Sequence, residues 1–315
     1  MEKEFIIGKQ LGEGTYGQVF DAEAKSAENF QMKKYAIKRH KNLEESEGFS
    51  AYALREISIL KSLHHENVLR VLKVFVGSED SGSLLFEKQQ CDLSYCLKHV
   101  YNRSMPLYQV RSFIRQLFKA LEYCHSHSVM HRDVKPANIL VDRRGRLQLS
   151  DFGCARCWKP GRNYTLECGT AWYRAPEIFL KKEDYTMSVD IWSAGCVWWE
   201  LLTGSPAFVF KKDENPMDLI VLILGFPHLE FHKGLADIPD IHESLETLPF
   251  VPFPKHPTFS RKPRGTEWKM FRSCLDQDPY RRVSARQVLW ELDHIKADLH
   301  SLPEKYFKKM RNTLT

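Results

Sequence analysis

Short-period alternation of apolar and polar residues marks the first third of the chain. "EFIIGKQL", "GQVFDAEA" and "KKYAIKRH" carry β-type residues with turn-forming or polar stretches between them, which predicts three strands. The period lengthens in "FSAYALREISILKSL", where Ala53, Ile57, Leu60 and Leu63 fall near helical spacing. "NVLRVLKVFV" and "GSLLFEKQ" predict two more strands. After residue 91 the character changes. "PLYQVRSFIRQLFKALEYCHSH" predicts a strongly amphipathic helix opened by Pro106, and "SVDIWSAGCVWWELLTG" is apolar nearly all round, which predicts a buried one. "EWKMFRSCL" and "SARQVLWEL" predict further helices. A small strand-rich half followed by a larger helix-rich half predicts an α+β fold with two lobes. Residues 227–263, rich in Pro and His, predict ordered irregular structure.

Composition narrows the class. The chain has 315 residues, 43% apolar and 27% charged, which is ordinary for a globular protein with a proper core. Its net charge of +6, from 46 basic and 40 acidic residues, is too small an excess to argue for nucleic acid. No run approaches the roughly 18 apolar residues of a membrane span, and "MEKEFIIGKQLGEG" has no apolar signal core, so no membrane association is expected. Eight cysteines without a secretion signal predict a reducing compartment, cytoplasmic or nuclear. Cys154 and Cys157 form a C-x-x-C with no second pair at zinc spacing, and read as two small loop residues. The basic C-terminal "KYFKKMRNTLT" reads as a solvated tail.

The candidate chemistry lies in five short segments. "GEGTYG" places Gly12, Gly14 and Gly17 in a G-x-G-x-x-G. A dinucleotide fingerprint needs a helix directly after the glycines, whereas "QVFDAEA" reads as a strand. The glycines therefore sit in a hairpin, where backbone N–H groups can approach phosphate oxygens. Lys38, in "YAIK", stands in an apolar strand from which it can reach phosphates, and Glu56 of the next helix can pair with it. "HRDVKPAN" and "DFG" are separated by two strand-like pieces, "ILVD" and "RLQLS". A hairpin there would bring Asn138 near Asp151, two oxygen donors that suit Mg2+. Asp133 would accept or orient the proton of an attacking hydroxyl, and Lys135 would neutralise charge on a moving phosphoryl group.

Together "GEGTYGQVF", "YAIK", Glu56, "HRDVKPAN", "DFG" and "APE" resemble the eukaryotic protein kinases in order and spacing. The resemblance implies the bilobal kinase fold. It gives an N-lobe over residues 1–88, a hinge at 89–91, a C-lobe over 92–295 and a C-terminal extension over 296–315. It implies ATP and Mg2+ as cofactors and protein substrates as partners. Lys38 and Glu56 would be the ion pair, Asp133 and Lys135 catalytic, and Asn138 and Asp151 the metal ligands. The ATP site would comprise Leu11, Gly12, Glu13, Gly14, Thr15, Tyr16, Gly17, Val19, Ala36 and Lys38, then Phe86, Glu87, Gln89, Asp92 and Leu140. Phe86 would be the gatekeeper, with Glu87 and Gln89 supplying hinge backbone bonds. Glu177 would pair with Arg282, and Asp190 would brace the catalytic loop. Lys135 in "HRDVKPAN" matches the serine/threonine type. "WYRAPE", "GEGTYG", "ALREISIL", "CHSHSVMHRD" and "SVDIWSAGC" are most similar to the cyclin-dependent kinases, which implies a cyclin-like regulatory subunit. A partner-independent kinase of the same branch is the alternative. A scaffolding pseudokinase would typically lack one of the key polar residues, and none is lost.

In that comparison Thr165 occupies the place of the activating phosphothreonine, with Arg55, Arg132 and Arg156 as its clamp. A phosphate adds about −1.5 to −2 charges and three acceptor oxygens to tie such guanidinium groups together. Thr15 and Tyr16 read either as inhibitory phosphosites or as ordinary turn residues. Cys168 and Gly169 depart from the pair of valines common in the group, while Arg174 is retained; Gly169 can take backbone angles that valine cannot, so a preference for proline after the phosphoacceptor remains compatible.

Overall fold

The computed structural model describes residues 4–14, 17–25, 34–40, 51–76, 82–225 and 265–294. Thr15, Tyr16, the Pro- and His-rich stretch and the C-terminal extension lie outside the described residues.

The alternating N-terminal segments form one antiparallel sheet. Strands β1 (Phe5–Glu13), β2 (Gly17–Ala24), β3 (Lys34–His40), β4 (Val71–Phe75) and β5 (Ser83–Glu87) pair in the order β1-β2-β3-β5-β4. Inward-facing Phe5, Ala22, Ile37, Phe75 and Leu85 form a small core of their own. Gly17 is required by this packing, because a Cβ there would lie 2.4 Å from the carbonyl oxygen of Arg39 on β3. Helix α1 (Ala51–Ser62) buries Ala53, Glu56, Ile59 and Leu60.

The larger half is helical around one continuous core. Strands β6 (Cys91–Asp92), β8 (Ile139–Val141) and β9 (Leu147–Leu149) make a small sheet, and β7 (Val129–Met130) pairs with β10 (Arg156–Cys157). Asp92 caps the short helix α2 (Leu93–Tyr95), accepting from Tyr95 N at 2.8 Å. Helix α3 (Leu107–Ser126) lays one apolar face, including Phe113, Leu117 and Leu121, into the core. After the short α4 (Pro176–Phe179) comes α5 (Ser188–Thr203), buried nearly all round. Gly204 ends it in the left-handed conformation at φ +82°, and Gly204 N donates to Glu200 O at 2.8 Å. Helices α6 (Pro216–Leu224), α7 (Gly265–Cys274) and α8 (Ala285–His294) complete the described part. No described helix is long and apolar enough to cross a membrane.

Backbone bonds join the halves directly. Leu69 N donates to Leu149 O and Leu149 N to Asn67 O, while Asn67 Nδ2 reaches Leu147 O at 2.8 Å. The β8–β9 hairpin is thereby fixed to the segment that follows α1, and at its open end Ser150 N donates to Asn138 O.

Candidate active site

The predicted hairpin forms: Ile139 pairs with Leu149, Leu140 with Gln148 and Val141 with Leu147. Ser150 N donates to Asn138 O at 2.9 Å, so the segments carrying Asn138 and Asp151 start side by side. Asp151 itself sits in the left-handed region at φ 58°, an uncommon conformation for a residue with a side chain.

Lys38 is 8% exposed, and two carboxylates hold it. Its Nζ donates to Glu56 Oε1 and Oε2 at 2.7 and 2.9 Å and to Asp151 Oδ1 at 2.7 Å. Burial alone would lower its pKa, but the charges of Glu56 and Asp151 outweigh it and raise the ammonium above the ordinary lysine value. The same balance runs in reverse for Asp151: burial pushes it up, and Lys38 pulls it below the usual carboxylate range. Glu56 has a further neighbour that sequence reasoning missed. His40 Nε2 lies 2.8 Å from Glu56 Oε2, and His40 Nδ1 lies 2.6 Å from Gly82 O. Each ring nitrogen thus faces an acceptor, and both bonds form only when both nitrogens carry hydrogen. His40 therefore ties α1 to the turn before β5.

Asp133 is held by three donors. Thr170 N donates to Oδ1 at 2.9 Å, and Asn138 Nδ2 and Lys135 Nζ approach Oδ2 at 2.8 and 2.9 Å. Lys135 Nζ also donates to Thr170 Oγ1 at 2.6 Å. Sequence reasoning places Thr170 in the stretch from Cys168 to Arg174 that would floor the substrate peptide, but does not pair it with Asp133 or Lys135, 37 and 35 positions away. Behind this group, Asp190 is fully buried and accepts from His131 N, Arg132 N and His125 Nε2 at 2.8, 2.7 and 2.9 Å. Burial would raise its pKa, but His125, His131 and the Arg132 backbone hold the carboxyl below its ordinary value. These bonds support Arg132 at φ 67°, a strained setting for an arginine. His131 Nδ1 accepts from Asp133 N at 3.2 Å, which leaves Nε2 to donate to Ser150 O at 2.8 Å.

The sequence profile of the protein kinase domain matches residues 5–291. The chain belongs to the protein kinase family. Its sheet-rich N-terminal and helical C-terminal regions are the bilobal kinase fold, and the family's reaction is ATP-dependent phosphoryl transfer to protein with a divalent metal.

Several residues that the resemblance assigns to ATP stand in register across neighbouring strands. Val19 sits between Gly12 and Lys38 in the strand register, Ala36 pairs with Phe86, and Tyr35 pairs with Glu87. Leu140 pairs with Asp92 below them. A Cβ at Gly12 or Gly14 would meet nothing within 4 Å, so the hairpin leaves open space beside its backbone. Leu11 and Glu13 are exposed on β1, and Gln89 Nε2 donates to Glu87 O at 3.1 Å. Among the described residues no cluster of three His, Cys, Asp or Glu could cage a metal. Asn138 and Asp151 alone suit Mg2+, which is bound by one or two protein oxygens together with phosphates and water.

The loop from Cys154 to Glu177 lies against this group. Arg132 Nη1 reaches Thr165 Oγ1 at 3.4 Å and Thr165 O at 3.2 Å, and it also donates to Tyr185 Oη. Arg132 Nη2 is buried without a hydrogen-bond partner. Arg156 Nη1 donates to Ala155 O at 2.8 Å, and Arg55 stands half-buried on α1 one residue before Glu56. Thr165 is exposed whereas Tyr164 is buried, its hydroxyl accepting from Lys159 N at 2.8 Å. Gly169 adopts φ +83°, and a Cβ there would lie 2.5 Å from Arg132 O. Arg174 Nη2 and Nε donate to Gly169 O at 2.7 and 3.1 Å. At the loop's end, Arg282 Nη1 and Nη2 donate to Glu177 Oε1 and Oε2 at 2.8 and 3.0 Å, fully buried.

One expectation fails in this loop. The C-x-x-C does not consist of two indifferent thiols: Cys154 is disulfide-bonded to Cys168, with Cα atoms 6.1 Å apart, while Cys157 is free and exposed. The pairing spans 14 positions and depends on how the loop folds back, which the local C-x-x-C spacing does not encode.

Proposed function

We propose that the chain is an ATP-dependent serine/threonine kinase of the cyclin-dependent type, switched on by phosphorylation of Thr165 and by a cyclin-like subunit. The observation that carries the switch is Arg132: pinned through its backbone by Asp190, it reaches exposed Thr165 while one buried guanidinium nitrogen lacks a partner. A buried unsatisfied donor is costly, and a phosphate on Thr165 would supply acceptors for it. Arg55 and Arg156 would complete the clamp, so that one phosphate joins α1, the catalytic loop and the activation loop.

In this reading Lys38, held by Glu56, binds the nucleotide phosphates, while Leu11, Val19, Ala36, Phe86 and Leu140 enclose the adenine. The backbones of Glu87 and Gln89 bond its edge, and Asp92 flanks the site. Asn138 and Asp151 would hold Mg2+, which when bound neutralises phosphate charge. Asp133 receives or orients the proton of the substrate hydroxyl, and Lys135 faces the transferred group. Lys135 in "HRDVKPAN" supports serine or threonine as acceptor. Arg174 supports a following proline, because it already engages the carbonyl of Gly169.

The Lys38–Glu56 pair is closed within the single chain, which favours a second reading, a partner-independent kinase of the same branch. Phosphate transfer to Ser-Pro and Ser-Ala peptides, with and without candidate cyclins, separates them. Transfer only with a partner, greater on Ser-Pro, supports the first reading; full transfer without one supports the second. No transfer under any condition refutes both.

A further inference from the structure

Cys154 follows the Asp151-Phe152-Gly153 turn directly and is 4% exposed, whereas Cys168 is half-buried and precedes Gly169 and Thr170. Their bond therefore joins the turn that bears Asp151 to the strip that donates to Asp133. The backbones of both cysteines are also gripped by arginines: Arg132 Nε donates to Cys154 O at 2.8 Å and Arg174 Nε to Cys168 O at 3.1 Å. The segment between the cysteines contains Thr165. With the bond in place, Lys38 still contacts Glu56 and Asp151, and Thr170 still contacts Asp133 and Lys135.

We propose that Cys154 and Cys168 are a reversible thiol–disulfide modification site, oxidised by a hydroperoxide and reduced by a dithiol, whose bonded form holds the activation loop in the assembled arrangement without a phosphate on Thr165. The second half rests on the reading of Thr165 as the switch. Half-buried Cys168 reacts first. Its thiolate attacks a peroxide oxygen, the O–O bond breaks, and a sulfenic acid forms while the other oxygen takes a proton and leaves as alcohol or water. The Cys154 thiolate then attacks the Cys168 sulfur; the S–S bond forms, the S–O bond breaks, and hydroxide takes a proton and leaves as water. The two thiols lose two electrons and two protons, and the peroxide gains them. A dithiol reverses this through a mixed disulfide and leaves oxidised. Cross-linking the loop removes open conformations from its ensemble, which is the same population shift a phosphate would produce.

The test uses the full-length protein, wild type and the variants Thr165→Ala, Cys168→Ser, Cys154→Ser and Cys157→Ser, each treated with graded hydrogen peroxide and then with dithiothreitol. Non-reducing peptide mapping should find a Cys154–Cys168 cross-link that dithiothreitol removes. It should persist in Cys157→Ser and be absent from the other two cysteine variants. Peptide phosphorylation by Thr165→Ala should rise several-fold on oxidation and fall back on reduction. No cross-link in wild type, or a link through Cys157 instead, overturns the site. A correct cross-link with unchanged or reduced activity overturns its role in holding the loop. Full activity of reduced Thr165→Ala would instead sink the Thr165 switch, and the peptide map would still decide the modification site.

Discussion

The ion pair between Glu177 and Arg282 offers the sharpest energetic test of how the activation loop is anchored. Both side chains are sealed, at 1% and 0% exposure. Arg282 also donates to three carbonyls: Asp276 O at 2.9 Å, Ser188 O at 2.8 Å and Gln277 O at 3.4 Å. Removing one partner of a buried pair costs about 3–5 kcal/mol, because the other charge is stranded away from water. The two single variants should not cost the same. Glu177→Leu leaves a cation still solvated by three carbonyl dipoles, which places it near the lower end, about 3 kcal/mol. Arg282→Met strands a carboxylate whose remaining donor is Ser188 Oγ at 3.5 Å, and it also orphans the carbonyls. That places it near the upper end, about 5 kcal/mol. The double variant removes both charges and should be more stable than the sum of the singles by at least about 1 kcal/mol. Trp192 lies under the guanidinium at 5.3 Å and reports locally, so urea unfolding followed by tryptophan fluorescence reads the cycle. Single variants within about 0.5 kcal/mol of wild type, or strictly additive costs, would refute the claim that this pair is a coupled buried anchor.

Three further outcomes follow from the geometry. His40→Phe removes a bond to Glu56 and should lower kcat/KM roughly tenfold, the equivalent of one charged hydrogen bond, with little change in thermal stability; unchanged kinetics would remove His40 from the ion-pair group. Gly169→Ala forces a Cβ into the Arg132 carbonyl at φ +83° and should cost about 1–3 kcal/mol of stability together with most peptide phosphorylation; a fully active, equally stable variant would contradict the close approach. For Asp190 the folded pKa lies below the ordinary value of 3.8, so its charge stabilises the fold fully above that value and progressively less as pH falls through the lower folded one. Asp190→Asn should therefore be less stable at neutral pH and lose less on acidification below about pH 4 than wild type does; equal acid sensitivity would show that other groups dominate.

Much of this arrangement is legible in the sequence because it is local or strictly ordered. The strand period at Gly17–Ala24, the apolar wrap of Ser188–Thr203 and the two short strands flanking "DRRG" all fold where the pattern predicts. Contacts between distant segments are not encoded in any local pattern. His40, at the end of β3, meets Glu56 of α1 across 16 positions, and nothing in "IKRH" marks it apart from a solvated residue. Thr170 bridges Asp133 and Lys135 only because Gly169 lets the backbone lie close against Arg132 O. Cys154 finds Cys168 rather than its near neighbour Cys157 for the same reason: the loop returns across the catalytic segment and brings a distant thiol closer than a local one. The third glycine of "GEGTYG" is a related case, since its lack of a side chain serves the approach of β3.

In the proposed reading Asp133, fixed by Thr170, Lys135 and Asn138, directs phosphoryl transfer from ATP to a protein hydroxyl. The most direct measurement is transfer of radiolabelled γ-phosphate from ATP to Ser-Pro peptides, comparing wild type with Asp133→Asn under the conditions that give greatest wild-type activity. Wild type should transfer phosphate measurably and the variant about 10²–10⁴-fold less, with ATP binding retained. Equal transfer by the two proteins would contradict that reading.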